Sequence, residues 1–200
     1  MRSWEQLRTD LRRDLRDEDP TAYLWTDAAL DRHLTQALTL LEAYAPAWAS
    51  LDLSAVAGQR RYDLASLAAD WLWAERVEAP PDAWPPAVRP FREEPGPTLV
   101  LRGPLPAPGE TLRLWYARRY RFTPTGSDLP PALEELLLLG AGAYALLDRA
   151  ALAITQVGPG GQAPADYRAL GEARLNAFLT RLLTLTPGGG PATGWPLADE

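Results

Sequence analysis

Between about residues 58 and 122 the periodicity of this chain changes, and that change limits its fold more than any motif does. On either side, apolar residues recur every three or four positions, as on one face of a helix; between, they fall in short runs broken by proline. The runs "RRYDL", "LWAERVEAP", "TLVLRG" and "TLRLWYARRYRF" read as strands. In the last, Leu112, Leu114 and Tyr116 alternate with Arg113 and Trp115, and "PAPGE" ahead of it supplies a turn after residues 98–102. These two strands are expected to form a hairpin. The stretch "PPDAWPPAVRPFREEPGP" holds too much proline for a central strand and is expected as an extended loop or an irregular edge.

The flanking segments predict four helices, over about 3–18, 27–45, 131–155 and 164–186. Ser3 and Gln6 fit a capping box, and Trp4, Leu7, Leu11 and Leu15 follow as one stripe. Thr26 suits the N-cap of the second helix, whose stripe of Leu30, Leu34, Leu41 and Ala45 stops before Pro46; Trp25 and Leu30 are spaced as a hydrophobic staple. The third helix is capped by Ser127 or Asp128, tolerates Pro130 and Pro131 at its start, and is apolar on nearly every side, which makes it central. Gly140 and Gly142 would let another backbone come close. The fourth turns Tyr167, Leu170, Leu175, Phe178, Leu182 and Leu185 inward. The fold class expected is α+β, mainly α: a four-helix bundle with an inserted β-hairpin or small antiparallel sheet, one domain over 1–186. A flexible tail, "PGGGPATGWPLADE", follows over 187–200.

Charge and composition then remove whole classes of function. The net charge of -6 disfavours a broad attraction to phosphate backbones, and all twenty basic residues are arginine. With no cysteine, disulfides and thiolate nucleophiles are excluded, one histidine cannot build a His-rich metal site, and His33 is the only candidate base for a hydrolytic triad. No metal, cofactor or catalytic residue is expected. The amino terminus lacks the apolar run of a signal peptide and is expected to be retained, and "LLLLGAGAYALL" is shorter than the roughly 20 residues that cross a bilayer, so no membrane partner is expected.

Each cluster that could carry chemistry has a plainer explanation. His33 lies beside the apolar stripe of the second helix and reads as a core or surface histidine. The acidic string Asp14, Asp17, Glu18, Asp19, with Asp27 and Asp31 beyond it, lacks the spacing of a calcium loop and suits the end of one helix and the first turn of the next. Glu134 and Glu135 point about 100° apart on a helix, so they read as partners of its positive end rather than an acid–base pair. "GPGGQ" and "PGGGP" fit no phosphate loop. "RLWYARRYRF" interleaves arginine and aromatics as single-strand nucleic-acid platforms do, but reads more simply as a strand with one basic face. Trp71, Trp73 and Trp84 could form a ligand-stacking module or enzyme site, against which core and interface positions are preferred.

"LRRDLRDEDPTAYLWTDAALDRHLTQAL" resembles the amino-terminal signature of head-to-tail connector (adaptor, head-completion) proteins of tailed bacteriophages, with "R-x-x-L-x-D" followed by "Y-x-W-T/S-D-x-x-L-x-x-x-I/L". The matching positions are Arg12, Leu15, Asp17, Tyr23, Trp25, Thr26, Asp27, Leu30 and Leu34. "LPPALEELLLLGAGAYAL" and "YRALGEARLNAFLTRL" look like the two carboxy-terminal helices of those proteins. The resemblance implies a virion structural protein of the neck, assembled in the host bacterial cytoplasm and not an enzyme. It would form a homo-oligomeric ring, usually of twelve, beneath the portal protein, receive stopper or tail-tube proteins, and extend a channel through which DNA passes without specific binding. A tail-completion or tail-terminator ring is the alternative. On this reading Arg12, Arg16, Asp17, Glu18, Arg174 and Arg181 pair across the heterologous subunit interface, and Trp195 and Leu197 anchor the tail on the portal. Trp25, Thr26, Asp27 and Leu30 are structural, forming the corner.

Overall fold

The computed structural model describes residues 1–67, 69–85, 87–155 and 163–185. It is an α+β fold with four helices and small antiparallel sheets. Along the chain come α1 (Trp4–Asp14), α2 (Asp27–Tyr44), β1 (Ala47–Ser54), β2 (Arg61–Asp63), β3 (Trp71–Glu78), β4 (Val88–Arg89), β5 (Phe91–Glu94), β6 (Thr98–Leu101), β7 (Thr111–Arg118), β8 (Phe122–Thr123), β9 (Gly126–Ser127), α3 (Pro131–Thr155) and α4 (Ala163–Thr184). The tail over 187–200, with Trp195 and Leu197, lies outside the described residues. Two compact units emerge: residues 1–45 join Tyr120 onward through α4, and Pro46–Arg119 form the second. The β-rich insertion expected within a single domain thus carries a hydrophobic core of its own.

In the first unit α3 is the hub against which α1, α2 and α4 all pack. Leu7 and Leu11, Leu30, Leu34 and Leu41, Leu137 and Ala141, and Phe178 and Leu182 are fully buried there, one pair or trio from each helix. Each such leucine contributes about 1.5–3 kcal/mol over an exposed one, so the over-apolar sequence of α3 is explained by its having partners on several sides. Where backbone was expected to approach Gly140, a side chain does: a Cβ at Gly140 would stand 2.8 Å from Cζ of Phe178, and one at Gly142 would meet the Arg174 guanidinium at 2.8 Å. Leu170, expected inward, is exposed, because the buried face of α4 is centred on Gly171, Phe178 and Leu182 and Leu170 falls about 100° off it.

α3 starts at Pro131 as expected, but its first turn is held differently. Pro130 C=O accepts from the N–H groups of Leu133 and Glu134, while Asp128 accepts the Arg121 N–H at 2.7 Å instead of capping the helix. Tyr120 fixes where the chain returns to this unit, its N–H donating to Glu42 at 2.9 Å and its hydroxyl to the Ala45 carbonyl at 2.8 Å.

The second unit has two antiparallel sheets sharing one core, a four-stranded sheet ordered β1-β7-β3-β4 and a three-stranded sheet ordered β2-β6-β5. The alternation in β7 is as expected, with Leu112, Leu114 and Tyr116 buried. The hairpin of 98–102 with 111–118 does not form: β6 lies between β2 and β5, and β7 between β1 and β3. Both strands are rich enough in buried residues to be central, so each needs two neighbours, and the "GPLPAPG" segment between them takes the chain from one sheet to the other. Gly103 and Gly109 turn there with φ of 74° and 80°, a conformation costly to residues with a Cβ. β1 precedes the segment expected to be β-rich and pairs with β7 along its whole length. The proline-rich stretch supplies β4 and β5, each at a sheet edge as expected. Trp71 stacks on Tyr116 at 5.3 Å within the core, whereas Trp48 and Trp73 meet edge to face at 6.4 Å; Trp84 is 80% exposed.

Gly140→Ala gains about 1 kcal/mol of helix propensity but drives a methyl into the Phe178 ring, an overpacking that costs about 1–3 kcal/mol. Denaturant unfolding should show a net loss of stability, and adding Phe178→Leu to that variant should reduce the loss.

Candidate functional site

The signature segment folds into a corner between α1 and α2 whose geometry begins with how α1 stops. Ser3 caps its start, its hydroxyl accepting the Gln6 N–H while the Gln6 side chain accepts the Ser3 N–H. The helix ends at Asp14, earlier than the expected residue 18, because Arg16 adopts the left-handed conformation with φ of 57°. The Asp17 N–H then bonds back to Arg12 C=O at 3.0 Å and the Arg16 N–H to Arg13 C=O at 3.1 Å, the paired bonds that close a helix around such a residue. This position is usually glycine, so an arginine there must be held by its surroundings.

What holds it is a buried ion pair. Arg12 and Asp17 are only 7% and 3% exposed, and Arg12 Nη1 donates to Asp17 Oδ2 at 2.6 Å. The same guanidinium donates through Nη2 to Asp27 Oδ1 at 2.6 Å and to Trp25 C=O at 3.0 Å. Asp17 in turn accepts the N–H of Leu24 at 2.6 Å and of Trp25 at 3.4 Å. The Tyr23 ring covers the guanidinium carbon at 3.7 Å, a cation–π contact. The Arg12 hydrogen bond holds the Asp27 carboxyl below its ordinary range.

Around this hub the remaining residues finish the corner. Thr26 caps α2, its hydroxyl accepting the Ala29 N–H at 3.2 Å, and Trp25 and Leu30 on either side are both buried in the same core, as the staple requires. The Trp25 indole N–H reaches across to the Ala145 carbonyl of α3 at 3.2 Å. Asp19 accepts both the N–H and the hydroxyl of Thr21, which together lower its pKa. Trp4 and Arg8 of α1 share Asp31 of α2, each at 3.0 Å. At the other end of α1, Arg2 gives its N–H to the buried Glu134 at 2.6 Å and its guanidinium to Glu135 at 2.7 Å. The two glutamates thus tie the start of α1 to the start of α3.

Of the residues expected at a subunit interface, Arg12 and Asp17 are buried and pair with each other inside one chain. Arg16 and Glu18 remain exposed, Glu18 being 3.7 Å from Arg13; Arg181 is exposed on α4, and Arg174 is half-buried over Gly142. A signal for the network existed in the spacing of Arg12, Asp17, Tyr23, Trp25 and Asp27, but each residue read singly suggests a solvated surface.

His33 is buried, with Nε2 3.6 Å from Asp148 Oδ2, beyond hydrogen-bond range. Burial lowers its pKa, outweighing the pull of Asp148. Among the described residues no group of three or more acidic or histidine side chains is placed to hold a metal ion, and no helix is long and apolar enough to cross a membrane. Compared with known protein families and with curated proteins, the sequence matches none.

Replacing Arg12 by Met strands the Asp17 carboxylate in the interior and should cost about 3–5 kcal/mol in denaturant unfolding. Asp17→Asn added to it should recover part of the loss, whereas Arg12→Lys should not restore the wild-type midpoint, since an ammonium lacks the planar fork. His33 gives a pH dependence of known sign. Below about pH 6.5 the unfolded chain takes up a proton that the folded histidine refuses, so stability falls as pH drops from 7 toward the lowered folded pKa. His33→Leu should flatten that part of the stability profile; an unchanged slope would assign it to other groups.

Proposed function

We propose that this chain is a subunit of a head-to-tail connector ring in a tailed bacteriophage, seated beneath the portal protein and extending the DNA channel toward stopper or tail-tube proteins. One observation supports the reading above others. The positions that match the connector signature, Arg12, Asp17, Tyr23, Trp25, Thr26 and Asp27, are bound into a single corner, so the pattern corresponds to one physical object rather than scattered coincidences. The four helices are read as the connector-type bundle, with the sheet unit inserted between α2 and α3. A net charge of -6 suits a channel lining, because binding DNA requires cations that neutralise phosphates. The role is structural and places the protein in the virion neck.

In a twelvefold ring each subunit presents unlike faces to its two neighbours. The exposed charges Arg16, Glu18 and Arg181, with Arg174, are the residues assigned to that contact. The segment 187–200 is assigned to portal docking through Trp195 and Leu197, apolar anchors in a polar stretch.

Electron microscopy of the purified protein mixed with the portal of the same phage should reveal an added ring of twelve copies on the tail side; absence of binding would sink the proposal. Truncation after Pro187 should leave the unfolding midpoint unchanged and weaken portal binding at least tenfold, and equal affinity would remove the tail from this role.

A further inference from the structure

Among the described residues, the second unit guards three of its four sheet edges and leaves one open. β4 is two residues long between Pro85 and Pro90; β5 carries Arg92, Glu93 and Glu94 and is flanked by Pro90 and Pro95; β2 is three residues with a charge at each end. Short strands, charges and prolines are the usual means of preventing edge-to-edge association. β1 is neither short nor broken by proline. It runs for eight residues, "AWASLDLS", without a register shift against β7, and its one charge, Asp52, is paired with Arg113 through Nε at 2.8 Å and Nη2 at 3.1 Å, a guanidinium that also holds Asp82 at 2.6 Å.

The ladder fixes which backbone groups are free. The N–H of Ala55 donates to Glu110 and its C=O accepts from Gly109, so Ala55 faces β7. Because hydrogen-bonding direction alternates along a strand, residues 47, 49, 51 and 53 also face β7, and Trp48, Ser50, Asp52 and Ser54 aim their N–H and C=O outward. Ser50, Asp52 and Ser54 are exposed, and among the described residues no backbone hydrogen bond occupies that side.

We infer that the open edge of β1 pairs with β1 of a second copy of this chain, antiparallel and two-fold about Leu51. The sequence fits itself in that register. Leu51 faces Leu51, Ala49 faces Leu53, Ser50 faces Asp52 and Trp48 faces Ser54, so apolar side chains meet on one face and no like charges stand directly opposite. Shifting the register so that Asp52 opposes Asp52 would introduce a repulsion, which the two-fold about Leu51 avoids. The contact is isologous and closes at two copies, joining two four-stranded sheets into one of eight. It therefore belongs to the free protein, uses a surface not assigned to the ring, and stands or falls independently of the connector reading.

Sedimentation velocity of the full chain without portal should show a concentration-dependent monomer–dimer equilibrium. Ser50→Asp, an exposed change that sets two carboxylates against each other at both symmetric positions, should raise the dimer dissociation constant about tenfold. Ser50→Arg, facing Asp52 of the other copy, should not raise it. Because the chain has no cysteine, Leu51→Cys should cross-link to itself under mild oxidation, while Ser54→Cys, which faces Trp48, should not. A monomer at every concentration, a dimer that responds equally to both Ser50 variants, or cross-linking through Ser54→Cys in place of Leu51→Cys would overturn the inference.

Discussion

The first unit is organised around one desolvated charge. Arg12 brings three acceptors together, the Asp17 carboxylate, the Asp27 carboxylate and the Trp25 carbonyl, and these belong respectively to the end of α1, the start of α2 and the turn between them. Taking a guanidinium and a carboxylate out of water is expensive, and the expense is offset only when nearly every donor and lone pair finds a partner. That requirement is geometric. It demands that α1 stop at Asp14, that Arg16 turn left-handed so that Asp17 folds back, and that Thr26 cap α2 where Asp27 can reach the same guanidinium. The direction in which α2 leaves the corner follows, and with it the seating of Trp25 against α3.

Much of this could be read from the sequence, and the boundary between what could and could not is physical. Local signals were sufficient where a residue's partner lies within one turn: the Ser3–Gln6 box, the Thr26 cap and the Trp25–Leu30 staple are all as expected, as are the strand character of β7 and the edge placement of β4 and β5. They failed where partners are distant. Arg12 looks solvated because nothing local says that Asp17 will fold back and Asp27 will follow. β6 and β7 looked like a hairpin because they are neighbours in sequence, yet strand pairing is decided by which strands supply buried faces. The alternation of Ala49, Leu51 and Leu53 with Ser50 and Asp52 in β1 was present to be read, hidden by its position just after a helix.

The corner also separates structural from interactive charge. Before the geometry is known, acidic and basic residues near positions 12 to 18 are equivalent candidates for contact with a neighbour. Afterwards they fall into two groups: Arg12 and Asp17, whose charges are spent within the chain, and Arg16 and Glu18, which are exposed at the surface of the turn. Arginine suits the first group because its planar fork satisfies several acceptors at once.

The interruption of the first unit by the second has a consequence for synthesis. Its core needs α1 and α2 from one end of the chain and α3 and α4 from the other, while the sheet unit is one continuous segment from Pro46 to Arg119. Domains tend to fold as units as they leave the ribosome, so the sheets can close while α3 is still untranslated. Until then the apolar stripe of Leu30, Leu34 and Leu41 has no α3 to cover it. The nascent chain must carry that exposed surface through the making of the 86 residues between α2 and α3, with the self-satisfied corner at Arg12 as the part of the unit able to form early.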